Sequence, residues 1–292
     1  MSAHAPVMTA EVLAALQPDR GGLFVDCTVG LGGHARALLS AGADRLIGID
    51  RDPAALALAG QALAEWGGRV ELVHGDYRGL PQFLDARGVD AIDGAVADLG
   101  VSSMQLDGEG RGFSFQRDEA LDMRMDTSQG LTAADLLSDV AERDLADVIY
   151  RFGEERRSRA VARAIVTARR EAPVRTTAQL AAIVRRVVRR SGRIDPATRT
   201  FQALRIWVNG ELDGLDVFLR AACARLRTGA RFAVVTFHSL EDRPVKHTFR
   251  ALAAEGGTFR LLTKKSVVPG DDEVRSNPRA RSARLRVIER VG

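Results

Sequence analysis

LFVDCTVGLGGHARALL, residues 23–39, reads as a strand, a glycine corner and a helix in immediate succession. Leu23, Phe24 and Val25 form the short apolar run of a strand buried on both faces. The run ends in Asp26, the glycine turn follows, and Ala35–Leu39 is helix-forming. Gly30, Gly32 and Gly33 carry no Cβ, so the loop bends sharply and lets a ligand approach backbone N–H groups at the open helix N-terminus. A nucleotide-like ligand is the first expectation.

A second strand, Leu46–Ile49, ends in Asp50, twenty residues after Gly30. That is about where a βαβ nucleotide unit places the acid that meets ribose hydroxyls. The glycine spacing is not the dinucleotide fingerprint, and Asp26 stands where a pyrophosphate would be repelled. S-adenosylmethionine suits the corner better: it has a ribose, no phosphate, and ammonium and sulfonium charges that carboxylates balance. A dinucleotide site and a plain structural turn are the competing readings of this stretch alone.

At 292 residues the chain holds one large domain or two modest ones. Its two cysteines, Cys27 and Cys223, are far apart with no CxxC spacing, which argues against a disulfide framework or zinc site and for a reducing cytoplasm. His4, His34, His74, His238 and His247 show no ligand spacing, so no metal is expected. No apolar run is long enough to span a bilayer, and Met1–Gln17 lacks a basic stretch followed by an apolar one. Net charge is only +4, but Arg151–Arg205 holds fifteen arginines against four acids, about +11, leaving the remainder near −7. A basic module on an acidic body suits a nucleic acid partner. A solvated arginine face is the plainer alternative.

Along the chain, a short helix begins near Thr9, taken as its cap. Asp52 and Pro53 open another that runs to about Trp66, Arg69–Val73 is a third strand, and Ala91–Ala97 a fourth ending in Asp98. Ligands bind beyond the carboxyl ends of parallel strands, so Asp26, Asp50 and Asp98 would face one crevice. From Leu99 to about Arg199 the alternation stops. A long polar loop reaches Asp126, and helices follow over Ala133–Asp139, Glu142–Phe152, Glu154–Glu171 and Thr177–Arg190, with Pro173 and Gly192 as punctuation. In the third helix, Val161, Ile165 and Val166 line one stripe, with Arg156, Arg159, Arg163 and Arg170 largely opposite. The sheet resumes after a helix at about Phe201–Leu226, with a strand over Ala230–Phe237, a helix to about Ala254, and strands over Phe259–Thr263 and Ser282–Glu289 flanking a polar loop, Ser266–Arg281. The expected domains are a discontinuous sheet domain, 1–106 with 200–292, and an inserted helical one, 107–199.

DCTVGLGGHA, IDRDP, DLGVSSMQLD, RGFSF, LDMRMD, GEER, ATRTFQALRIWVN, FHSLEDR and NPRARS, in this order over nearly the whole chain, resemble the signature blocks of the RsmH (MraW) family, the 16S rRNA cytosine-N(4) methyltransferases. The resemblance implies an α/β, Rossmann-like S-adenosylmethionine-dependent methyltransferase sheet with an inserted all-helical domain. It also implies S-adenosyl-L-methionine as cofactor and a decoding-centre cytidine of 16S rRNA, within the small ribosomal subunit, as acceptor. Carried over by motif, the donor contacts fall on Gly32, Gly33, His34, Asp50, Tyr77, Asp98 and Gln105, and Asp98 is the catalytic candidate. Met104 departs from the proline frequent in the family, and Tyr77 stands where phenylalanine also occurs.

The residue types fit these roles. Gly32 and Gly33 admit close backbone approach, Asp50 can accept ribose hydroxyls, Tyr77 can stack on adenine, and Asp98 would end a central strand beside the transferable methyl. As plainer readings, His34 is a polar residue of a first helical turn, Tyr77 a half-buried aromatic and Asp98 a cap. Cytosine's amino nitrogen is a weak nucleophile because its lone pair is delocalised, so an acceptor for its N–H bonds is needed. Asp98 is the first candidate, with Val101–Ser103 as helpers. The arginine helices and the RGFSF loop are expected to clamp RNA, with Phe113 or Phe115 stacking on bases. His238, beside Ser239, Glu241 and Asp242, reads as a structural strand-end histidine ahead of a substrate-side acid/base, and no GxSxG elbow supports a hydrolase. An RNA-binding assembly factor that kept the fold without catalysis is the alternative function. A homodimer is an option that the sequence does not decide.

Overall fold

The computed structural model describes residues 6–190 and 194–292; His4 and Gly192 lie outside the described residues. Two compact units form, Met1–Gly100 with Gly214–Gly292, and Val101–Asp213.

In the first unit the chain runs α1 (Thr9–Leu16), β1 (Leu23–Asp26), α2 (Gly33–Ser40), β2 (Arg45–Asp50), α3 (Pro53–Ala62), β3 (Val70–His74), α4 (Leu80–Asp85) and β4 (Ile92–Asp98). The second unit holds α5 (Ser103–Asp107), α6 (Ala133–Asp139), α7 (Glu142–Gly153), α8 (Ser158–Glu171), α9 (Thr177–Val187) and α10 (Thr198–Asn209). The chain then returns to the first with α11 (Leu215–Ala224), β5 (Leu226–Thr236), α12 (Ser239–Ala254), β6 (Phe259–Leu261), α13 (Asp271–Ser276) and β7 (Arg284–Arg290).

The seven strands order as β3-β2-β1-β4-β5-β7-β6. The first five are mutually parallel, while β7 is antiparallel to both β5 and β6. Central strands are buried along nearly their whole length, as continuous apolar runs require when helices cover both faces. The chain leaves β1 toward β2 and β3, then crosses back to β4, so the topological switch lies between β1 and β4. There the first loop and the β4 end meet, where an open α/β sheet takes ligands.

Several expected elements differ. The single helix over 201–226 is two helices, because Gly210 and Gly214, both left-handed, end one and start the other. β5 starts at Leu226 rather than Ala230. Thr9 is the first residue of α1, not its cap, and its hydroxyl donates to the Pro6 carbonyl at 2.8 Å. Short helix α5, which carries too few residues for a periodic signal, breaks a stretch read as loop. Asp52 does cap α3, accepting from the Ala54 N–H at 3.1 Å.

In the helical unit, Val161, Ile165 and Val166 are buried, and Arg156, Arg159, Arg163 and Arg170 are exposed, as the α8 stripe predicts. The long polar stretch before α6 is held down. Ala120 bridges Thr176, and Asn209 donates to the Met123 carbonyl at 2.8 Å while accepting from the Met125 N–H at 2.7 Å. The ATRTFQALRIWVN block therefore secures the LDMRMD block.

α7 and α10 meet at Gly153. A Cβ there would lie 2.4 Å from the Arg199 carbonyl oxygen and 3.2 Å from the Ala203 Cβ. Backbone cannot give way as a flexible side chain can. Gly153→Ala is therefore expected to destabilise the helical unit by about 1–3 kcal/mol, read as an earlier denaturant midpoint of the full chain. A midpoint within error of the unaltered protein would mean that the helices have room to part.

Candidate active site

The first unit gathers its buried acids at one rim. β1 delivers Asp26, β2 delivers Asp50 and β4 delivers Asp98, and parallel pairing puts all three strand ends on the same edge. Asp26 is 1% exposed; one carboxylate oxygen accepts from the Thr28 N–H at 3.2 Å, and the other, Oδ2, is buried with no hydrogen-bond partner. Burial pushes Asp26 up to about 7; His34 and the Thr28 N–H oppose the rise, and Asp98 and Asp50 add to it.

The glycine corner is strung between its neighbours. Cys27 and Val29 donate to the Val96 and Ile49 carbonyls, each at 2.8 Å, and Thr28 Oγ1 accepts from the Asp98 N–H at 2.7 Å. Gly30, at φ 52°, donates to Asp50 Oδ2 at 2.8 Å, while Asp50 Oδ1 accepts from the Asp52 N–H at 2.9 Å. Burial raises the Asp50 pKa, with these two N–H groups pulling the other way. Asp50 thus braces the first loop against the second. Gly32, at φ 83°, caps α2 in a left-handed conformation that favours glycine. Gly33 is explained differently: an added Cβ would lie 2.9 Å from the Pro6 ring.

His34, in the first turn of α2, is 4% exposed, and its Nε2 lies 3.5 Å from Asp98 Oδ2. This is ion-pair reach without hydrogen-bond geometry, since both ring nitrogens and Asp98 Oδ1 are buried without a hydrogen-bond partner. Burial, the largest influence on His34, lowers its pKa, but Asp98, Asp26 and Glu273 together outweigh it, so the net direction is upward. The Glu273 charge arrives from far along the chain: α13 folds back so that Glu273 accepts the Met8 N–H at 2.7 Å.

Tyr77 follows β3 in a turn pinned by Asp76, which pairs with Arg51 and with Arg78. Burial would raise the Asp76 pKa, but Arg78 and Arg51 hold it down at about 2. The Tyr77 ring is half-buried, its centroid 4.5 Å from that of Phe218 on α11, with the planes tilted by 52°. Gln105 belongs to the helical unit, where its side chain accepts from the Ser102 N–H at 3.0 Å and closes a capping box on α5.

Sequence reasoning missed Thr28, Asp76 and Glu273. An Asp-x-Arg spacing, Asp76 to Arg78, was the available signal for the second; nothing local marks the others. It also erred on the RGFSF aromatics. Phe113 is buried, and Phe115 is half-buried with its ring edge-on to Phe201 at 4.9 Å and the Arg185 guanidinium 5.5 Å from its centroid. These rings build the helical core rather than stand ready for bases. His238 Nε2 contacts Glu241 Oε1 at 2.9 Å, and Glu241 Oε2 accepts from the Phe237 N–H at 2.9 Å, so this histidine helps to start α12. Asp242 takes a two-pronged pair from Arg286 at 2.7 and 2.8 Å.

Chemically, the rim offers buried carboxylate oxygens without partners and a histidine beside them, a donor set that suits a cationic ligand and repels phosphate. Both thiols are buried and pushed up, Cys27 well above its usual value and Cys223 to about 12, which leaves them inert.

The model of the MraW methylase family matches residues 1–291. A protein of Nitrobacter winogradskyi called Ribosomal RNA small subunit methyltransferase H is 53% identical over 302 residues, covering 99% of this chain and 91% of that one. A protein of the same name from Sorangium cellulosum is 53% identical over 291 residues, with the same coverage. Among solved structures, an rRNA methylase from Streptococcus thermophilus is similar at a TM-score of 0.43 and 12% identity, covering 97% of this chain and 94% of that one, a likeness too slight to argue from. With a full-length family match and relatives above half identity, the chain belongs to the MraW methylase family.

Proposed function

We propose that the protein transfers a methyl group from S-adenosyl-L-methionine to N(4) of a decoding-centre cytidine of 16S rRNA, within the small ribosomal subunit in the cytoplasm. One observation carries the choice of donor: the buried, unpartnered Oδ2 of Asp26 at the sheet's switch point. The substrate class follows from the family and from the name that its relatives carry. When bound, S-adenosylmethionine supplies an electrophilic methyl on a sulfonium.

Asp26 balances the donor's positive charge, with Gly32, Gly33 and His34 lining the methionine end. Asp50 holds its loop through two N–H groups and keeps lone pairs for ribose hydroxyls. Tyr77 faces the adenine. Asp98 accepts a hydrogen bond from the cytosine amine and takes the proton that the nitrogen sheds, and His34, 3.5 Å away, steadies the resulting charge shift. The base must be unstacked to enter such a pocket, and exposed arginines of α8 and α9 hold the surrounding RNA.

The direct test supplies labelled donor and small subunits from cells lacking the enzyme, followed by nucleoside analysis. Label in N(4)-methylcytidine is expected; label in another nucleoside, or none, would sink the proposal. Asp98→Asn keeps the shape and removes the proton acceptor, so transfer at saturating donor should slow by about a hundredfold or more. Undiminished transfer would strip Asp98 of the role.

Asp26 gives a pH signature. Its unfolded carboxyl titrates near 3.8 and its folded one at about 7. The folded chain therefore binds the extra proton in that window, and this group's stability contribution falls as pH rises through it. Donor binding has the opposite sense, since the cation needs the ionised form: affinity should climb up to about pH 7 and then level off. Asp26→Asn should flatten both curves, in thermal melts without donor and in calorimetry with it. A donor affinity indifferent to pH in the unaltered protein would contradict the assignment.

A further inference from the structure

Outside the rim, the C-terminal segment of the first unit carries a charge pattern that the reaction chemistry does not use. Residues 214–292 hold sixteen basic side chains against eight acidic ones, whereas residues 1–100 hold seven against thirteen. Within the basic segment the chain places its only three lysines, Lys246, Lys264 and Lys265. Lys246 and Lys264 line one cleft together with Arg250, over a floor of Phe249, Leu261 and Arg286.

The cleft is built from both sides. On α12, Arg243, Lys246 and Arg250 follow a spacing of three and four residues, which puts them on one helical face along about 10 Å of axis. Val245, Thr248 and Leu252 are buried on the opposite face. Across from it, the segment after β6 is fixed by hydrogen bonds to β7: Leu262 donates to the Val287 carbonyl at 3.1 Å, and Thr263 Oγ1 accepts from the Val287 N–H at 2.9 Å. Arg286 is neutralised by Asp242, but among the described residues Lys246, Arg250 and Lys264 meet no carboxylate at ion-pair distance. Cations converging on a recess without counter-charge raise one another's energy, and an anion relieves it.

We infer that the α12–β6 cleft, lined by Lys246, Arg250 and Lys264, grips the phosphodiester backbone of the RNA substrate at a second contact outside the methyl-transfer rim. α12 begins directly after β5 at that rim and descends from it, so a strand entering the crevice can continue down this flank. Because the cleft reads phosphate and not bases, it supplies affinity and register without choosing the target. The inference rests on the RNA-substrate reading above, and the test separates the two.

The triple variant Lys246→Gln, Arg250→Gln, Lys264→Gln is compared with the unaltered protein for binding to small subunits between about 50 and 200 mM salt. Loss of three phosphate contacts should weaken binding roughly tenfold or more and flatten the slope of log affinity against log salt by about two, with donor affinity and melting temperature unchanged. A second variant, Lys246→Arg with Lys264→Arg, keeps the charge and should bind like the unaltered protein. Equal affinity and slope for the triple variant, or failure of the arginine variant to bind, would overturn the cleft assignment. Vesicles of phosphatidylglycerol form the remaining arm: binding to them that vanishes in the triple variant, with subunit binding intact, would reassign the face to lipid and overturn it too. If the unaltered protein itself ignores small subunits, the RNA reading fails, a result distinct from all of these.

Discussion

The first unit is organised by the cost of burying carboxylates close together. Asp26, Asp50 and Asp98 end neighbouring strands of a parallel sheet and share one edge, where burial and then the charges of Asp98 and Asp50 raise the proton affinity of Asp26. Each meets the cost in a different way. Asp50 spends its oxygens on two backbone N–H groups and so becomes a brace between loops. Asp98 has a histidine at ion-pair reach. Asp26 has only one N–H and rises to about 7, leaving an oxygen that nothing in the chain satisfies. An unsatisfied buried acceptor is rare in native proteins and calls for a ligand that completes it.

The blocks that identify the family divide by physical task. Only DCTVGLGGHA, IDRDP and the first residue of DLGVSSMQLD supply the acid rim. LDMRMD and ATRTFQALRIWVN hold each other through Asn209 and the Met123 and Met125 backbone, and GEER contributes the glycine that lets α7 approach α10. FHSLEDR supplies the Glu241 contact that starts α12 and the Asp242 pair that anchors Arg286. In RGFSF the aromatic rings are core. A motif that marks a family is therefore as often a joint as a reagent.

Much of this was legible because it is local. A run of buried residues ending in an acid and a glycine turn specifies strand, corner and rim within a dozen positions, and the 3.6-residue stripe of α8 specifies which arginines face water. What escaped is long-range or negative. Glu273 reaches Met8 across 265 residues; no local pattern announces such a contact. Thr28 gives no hint that its hydroxyl will accept from the end of β4, seventy residues on. The break between α10 and α11 turns on two left-handed glycines in a stretch whose apolar periodicity continues across them. Phe113 and Phe115 misled because aromatic residues in a polar loop look available until the helices that cover them are known.

The charge distribution of the first unit then has a physical logic. Its N-terminal hundred residues are net acidic and include the rim, whose donor set suits a cation; its C-terminal segment is net basic and includes the α12–β6 cleft, where we place the RNA backbone. Placed together, opposite fields would cancel, and within about 8–10 Å salt would not separate them. The sheet keeps them apart by sequence order: acids sit at the ends of β1, β2 and β4, while lysines sit beyond β5 on the antiparallel side formed by β6 and β7. β7 runs opposite to β5 and β6, and its backbone ties down the segment after β6: Leu262 donates to the Val287 carbonyl and Val287 donates to Thr263 Oγ1.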